Sequence, residues 1–137
     1  MSRAQREKGK RGEREFAALL ENHGFSARRD GRLDDDLAHD VDGYHFEVKR
    51  RETLALPAWH RQAEQDAGDR VAVVAYRRNA EPWRASLDAE QLVRLLSIER
   101  AARAVVAAEV LRASSIDEVE PDVYELSLAL ARDPRDR

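Results

Sequence analysis

The segment HDVDGYHFEVKR, His39 to Arg50, sets Asp40, Glu47 and Lys49 close together in the chain. Two acids with a base nearby can serve phosphodiester hydrolysis: carboxylates hold a divalent cation, and an ammonium stabilises developing negative charge. Whether they cooperate depends on which side chains share a face. Asp42–Gly43 is the dipeptide favoured in two-residue hairpin loops. Taken as such a loop, it pairs Val41 with Tyr44, Asp40 with His45 and Ala38 with Glu47. One face then carries Val41, Tyr44, Phe46 and Val48, and the other carries Asp40, His45, Glu47, Lys49 and Arg51. Asp40 and Glu47 become diagonal neighbours about 5–6 Å apart, repelling by roughly 3 kcal/mol at an effective dielectric near ~20 unless a cation lies between them. With no cysteine in the chain, all-oxygen ligation points to Mg2+, with Mn2+ as a substitute, rather than to structural zinc.

Two further polar residues fall where apolar ones are expected. On a helix over about residues 10–23, Phe16, Ala17 and Leu20 form the apolar stripe, and Glu13 lies within it. A carboxylate on a buried stripe needs a partner. Either Glu13 is a third metal ligand, or it forms an ion pair with Arg28 or Arg29. On a second helix, Gln62 lies between Trp59, Ala63 and Asp66 on the side expected to pack. It can bind a site water or a phosphate, although a half-exposed glutamine is the commoner case.

The elements that must hold these residues follow from local signals. Gly24 stops the first helix, and residues 25–29 read as a short strand. DGRLDDDLAH reads as a polar loop, and the strand after Asp42–Gly43 runs to about Arg51. Pro57 opens the second helix, which Gly68 closes. RVAVVAY is the nearly unbroken apolar run of a strand covered on both faces. A short strand over 83–87 precedes a long helix that starts with Asp88 and Gln91 in a capping-box pattern and has a break near Ser97. VYELSLALA fits either a strand or a helix. The result is one α/β layer with a single mixed sheet.

At 137 residues, 42% hydrophobic and 37% charged, the chain reads as one globular domain with a heavily charged surface. The absence of cysteine, of a membrane-length apolar run and of an apolar leader predicts a cytoplasmic protein that does not engage a membrane. Net charge is −3, yet residues 1–14 hold six bases against two acids, while residues 117–125 hold five acids and no base. Local potential governs polyanion binding, so a basic front can bind DNA despite the overall sign. Lys8, Lys10, Arg11, Arg14, Arg29, Arg50 and Arg51 are the expected DNA contacts.

DVDGYHFEVK, with an acid, a gap and then E-x-K, following a helix that contains KGKRGEREF and preceding a further helix and strand, resembles the PD-(D/E)XK nuclease superfamily. Within it, the G-x-x-x-E-R pattern from Gly9 to Arg14 is similar to the first helix of the small archaeal and phage-borne Holliday-junction resolvases. The resemblance implies a restriction-endonuclease-like three-layer core with a central mixed β-sheet flanked by helices. That core would span about residues 8–96 of a single 1–137 domain, followed by a C-terminal helical extension. It also implies a Mg2+-dependent endonuclease of branched DNA acting as a homodimer, with no organic cofactor. Asp40, Glu47 and Glu13 would bind metal, Lys49 would assist the attacking water, and Gln62 would help from the next helix. His39 replaces the usual proline before Asp40, and GRLDDDLAHD replaces the family's serine-glycine loop.

Other residues have plainer readings. His45 shares the acidic face but reads as a strand-surface histidine, and Asp34, Asp35 and Asp36 as a solvated run. Trp59 and Trp83 read as core filling; Leu92, Leu95, Val105 and Val106 on the long helix are candidates for a dimer contact, with core packing the commoner expectation for each. The alternative functions are another nuclease of the superfamily, acting on flaps, ends or duplex, and a DNA-binding scaffold without cleavage.

Overall fold

The structure is a computed structural model that describes residues 2–31, 37–113 and 116–131. It divides into two compact units, residues 1–88 and 89–137. The long helix that follows Asp88 belongs wholly to the second unit.

The first unit opens with α1 (Arg3–Glu21), which begins about two turns earlier than the apolar pattern suggests. Ser2 explains the early start: its hydroxyl accepts the Gln5 N–H, and the Gln5 side chain accepts the Ser2 N–H. This reciprocal capping box satisfies donors that a helix end otherwise leaves open. The basic N-terminal residues are thus arrayed along a helix.

Strands β1 (Ala27–Arg29) and β2 (Leu37–His39) pair antiparallel, with Ala27 opposite His39. Strand β3 (Tyr44–Arg50) pairs in parallel with β4 (Val71–Arg77) across α2 (Leu56–Ala67), and β4 pairs antiparallel with β5 (Arg84–Ser86). The architecture is mixed α/β with a mixed sheet, but the expected single sheet is two: β1-β2 and β3-β4-β5.

The hairpin register needs correction. Gly43, at φ +77°, makes the tight turn that Asp42–Gly43 suggests, but residues 37–40 pair with β1 instead of β3. Beyond the last ladder pair, the Asp40 N–H donates to the Ser26 carbonyl at 3.1 Å, and Asp40 Oδ1 accepts the Ser26 N–H at 2.8 Å. One segment cannot satisfy two ladders on the same hydrogen-bonding edge. β3 keeps its alternation and becomes the edge strand of its own sheet.

Its apolar face packs on α1. Phe16 meets Phe46 at 5.3 Å and Trp83 at 5.4 Å between ring centroids, beside buried Ala17, Ala27, Leu37 and Ala75. Gly12 permits this approach, since a Cβ there would stand 2.8 Å from the Arg50 Cβ. The opposite face of β3 turns toward α2, so α1 and α2 cover different sides of the sheet. Val73, Val74 and Ala75 are buried between the layers, as an unbroken apolar run requires.

The second unit holds α3 (Ala89–Arg112), a single 3-10 turn (Ile116–Glu118) and α4 (Pro121–Ala131). α3 runs unbroken through Ser97, whose hydroxyl donates to the Val93 carbonyl one turn back. VYELSLALA resolves as helix, with Pro121 at its first position. Leu92, Leu95 and Val105 are exposed, contrary to the core packing expected of them. Among the described residues, no helix is long and apolar enough to cross a membrane.

Candidate metal and phosphate site

A cavity of about 290 Å3 opens along the free edge of β3. Arg6, Gly9, Lys10 and Glu13, spaced by helical turns on α1, line one wall, with Arg29 and Leu37 beside them. His45 through Arg51 line the other wall. Every residue from the Glu47 pair to the basic rim is here because β3 is an edge strand and Gly12 lets α1 lie close to it.

Glu47 and Lys49 lie on one face, and the Lys49 ammonium pairs with Glu47 Oε1. The other carboxylate oxygen, Oε2, lies 3.8 Å from His45 Nε2. Asp66, reaching in from α2, completes a group whose ligand atoms all lie within 4.8 Å of one another. Gln62 stands one turn before Asp66 and donates to its Oδ2 at 2.7 Å. Gln62 therefore acts on the site through Asp66.

The other expected ligands are placed differently. Asp40 lies beside Glu21, Ser26 and Arg28, in a separate depression, with its carboxylate turned to Ser26. Glu13 lines the cavity but is nearly buried and accepts the Arg29 Nε–H at 2.6 Å, the ion-pair alternative for this residue. Among the described residues, Asp40, Glu47 and Glu13 are not brought together as a group, whereas His45, Glu47 and Asp66 stand close enough that they could hold a metal ion. One imidazole and two carboxylates are chemically suitable ligands for a divalent ion. Asp34, Asp35 and Asp36 lie outside the described residues.

His45 is buried at 3% exposure, so it is not a strand-surface residue. Its place on the acidic face was readable in the alternation of β3. Asp66 had a signal too, since it follows Gln62 by one helical turn on the side expected to pack.

The expected DNA contacts divide into three groups. Lys10, Arg29, Arg50 and Arg51 line the cavity, joined by Arg6. Arg11 and Arg14 are exposed on α1 outside it. Lys8 is taken up by Glu52, to which it donates at 2.6 Å. Arg50 is also structural: with Arg77 it holds Glu15, at 3.4 and 3.2 Å respectively, which ties α1 to both parallel strands.

No family model matches the chain, and comparison with curated proteins and with solved structures finds no match.

Proposed function

We propose that this chain is a metal-dependent endonuclease with a restriction-endonuclease-like core, cleaving DNA at the edge of β3. The observation that carries this reading is the Glu47–Lys49 pair in a cavity rimmed by Arg6, Lys10, Arg29, Arg50 and Arg51. Cationic side chains on both walls of the cavity suit a phosphodiester backbone, giving affinity with little sequence information.

His45, Glu47 and Asp66 are the residues that would hold the cation. When bound, such an ion lowers the pKa of water and offsets charge at the phosphorus centre. The rest falls to the chain's own residues. Lys10 and Arg51 hold phosphates on either side of the cleavage point. Lys49 orients the attacking water and stabilises the extra negative charge of the five-coordinate centre. Glu13 accepts from Arg29 Nε, and both residues line the cavity.

The substrate within this reading is branched DNA, above all the four-way junction. Symmetric cleavage requires two matched sites, so a two-fold homodimer belongs to the proposal. The test is incubation with labelled junction, flap, duplex and single strand in Mg2+ or Mn2+, beside Glu47→Gln. Paired symmetric nicks in the junction, absent in the variant, support it. Cleavage chiefly of flaps, ends or duplex replaces the substrate and keeps the nuclease.

A second reading has its own observation. Asp40 is engaged by Ser26 and stands apart from Glu47, which favours a DNA-binding scaffold that does not cleave. Tight junction binding without nicks in either metal would select it.

A further inference from the structure

We infer that the His45–Glu47–Asp66 group selects a nitrogen-accepting first-row transition ion, of the Mn2+, Co2+ or Zn2+ class, over Mg2+. The inference deepens the nuclease reading at the same site, but it rests on the donor set and stands whether or not DNA is cleaved.

Three observations carry it. The first is donor chemistry. Mg2+ takes oxygen ligands and keeps much of its water, whereas imidazole favours later first-row ions. His45 is the second residue of β3 and is 3% exposed, so its ring is held by packing.

The second is spacing. Two donors that share one first-row ion, each at about 2.1 Å, stand at most about 4.2 Å apart. The 3.8 Å between His45 Nε2 and Glu47 Oε2 lies within that limit and is too long for a hydrogen bond. Asp66 is exposed and sits on a different element, so a side-chain rotation can close the remaining distance within the 4.8 Å group.

The third is the division of labour on Glu47. Lys49 engages Oε1, while His45 faces Oε2. An ion can therefore be accepted on the Oε2 side while the lysine stays on the other oxygen. Gln62 holds Asp66 Oδ2 and serves as a positioning residue for this third ligand. Partners of this kind, one shell out from a metal, typically change affinity by about 10–100-fold.

The test uses the full chain and Co2+, whose visible absorption reports the ligand field directly. Expected are one bound Co2+ per chain, retention of its spectrum in about 100-fold excess Mg2+, and displacement by Zn2+. Asp66→Asn, at an exposed position, should weaken Co2+ binding by at least ~10-fold, and Gln62→Ala by a smaller factor. His45→Gln should remove the nitrogen contribution from the spectrum, with circular dichroism confirming that the chain is folded. Displacement of Co2+ by equimolar Mg2+, or wild-type Co2+ affinity in Asp66→Asn, overturns the inference. DNA cleavage is scored separately in Mg2+ alone. Cleavage without selective Co2+ binding leaves the nuclease reading and removes this one. Selective binding without cleavage in any ion does the reverse.

Discussion

Arg29 donates from Nε to Glu13 Oε2 at 2.6 Å, joining β1 to the middle of α1. The glutamate is nearly buried and the arginine about a quarter exposed, so the pair lies where water screens it little. Its position fixes how the cavity wall is built, because both residues face the same space.

Arg29→Met should therefore destabilise the fold by ~2–4 kcal/mol, since it leaves a carboxylate in a poorly solvated place. Adding Glu13→Gln should recover much of that loss. Chemical denaturation of the two single variants and the double variant measures the coupling; additive effects would contradict the pairing.

Gly12→Ala places a methyl group where the Arg50 Cβ already stands, at 2.8 Å. Alanine improves helix propensity by up to ~1 kcal/mol, but the overlap costs ~1–3 kcal/mol, so a net loss is expected. The same change at Gly9, around which nothing lies within 4 Å, should be neutral or stabilising. Thermal melts should place Gly12→Ala below wild type and Gly9→Ala at or above it.

Glu52 links the start of α1 to the loop after β4. It accepts from the Lys8 ammonium at 2.6 Å and from the Asn79 N–H at 3.1 Å. The Lys8 hydrogen bond, chiefly, holds its carboxyl below the ordinary value. A depressed folded-state pKa means the contribution is fully present above the unfolded-state pKa and is lost as pH falls through the folded one. Amide exchange over residues 3–10 should rise relative to the rest of α1 as pH drops below the carboxylate range. Glu52→Gln should remove that pH dependence; an identical profile in the variant would count against the link.

Lys10 lines the cavity and Arg11 does not. Lys10→Ala should lower DNA affinity and reduce the salt slope by about one phosphate contact. Arg11→Ala should change both less. Fluorescence anisotropy at several salt concentrations separates them, and equal slopes in Lys10→Ala and wild type would remove α1 from the binding surface.

On the proposed nuclease reading, Glu47→Gln should reduce cleavage by at least ~100-fold while leaving junction binding within a few-fold, because it would remove a metal-holding carboxylate and keep the shape. Gel-based cleavage and anisotropy on one preparation test both halves.

By itself the sequence determined whatever depends on neighbours in the chain. The period-2 alternation of Tyr44 to Arg50 put His45, Glu47 and Lys49 on one face, and they are there. The turn at Gly43, the helix between Pro57 and Gly68, and the covered strand β4 were equally legible, since each follows from local sterics or burial. Only the tertiary structure decided what depends on choosing between partners. Residues 37–40 could pair with the strand before them or the strand after them; the pairing with β1 won, and it carried Asp40 away from Glu47. Glu13 had two permissible roles, and the approach of β1 brought Arg29 to it. Asp66 is 19 residues beyond Glu47, and only the parallel crossover through α2 sets it against β3. Local physics fixes which side chains share a face, whereas competition among distant surfaces fixes which faces meet.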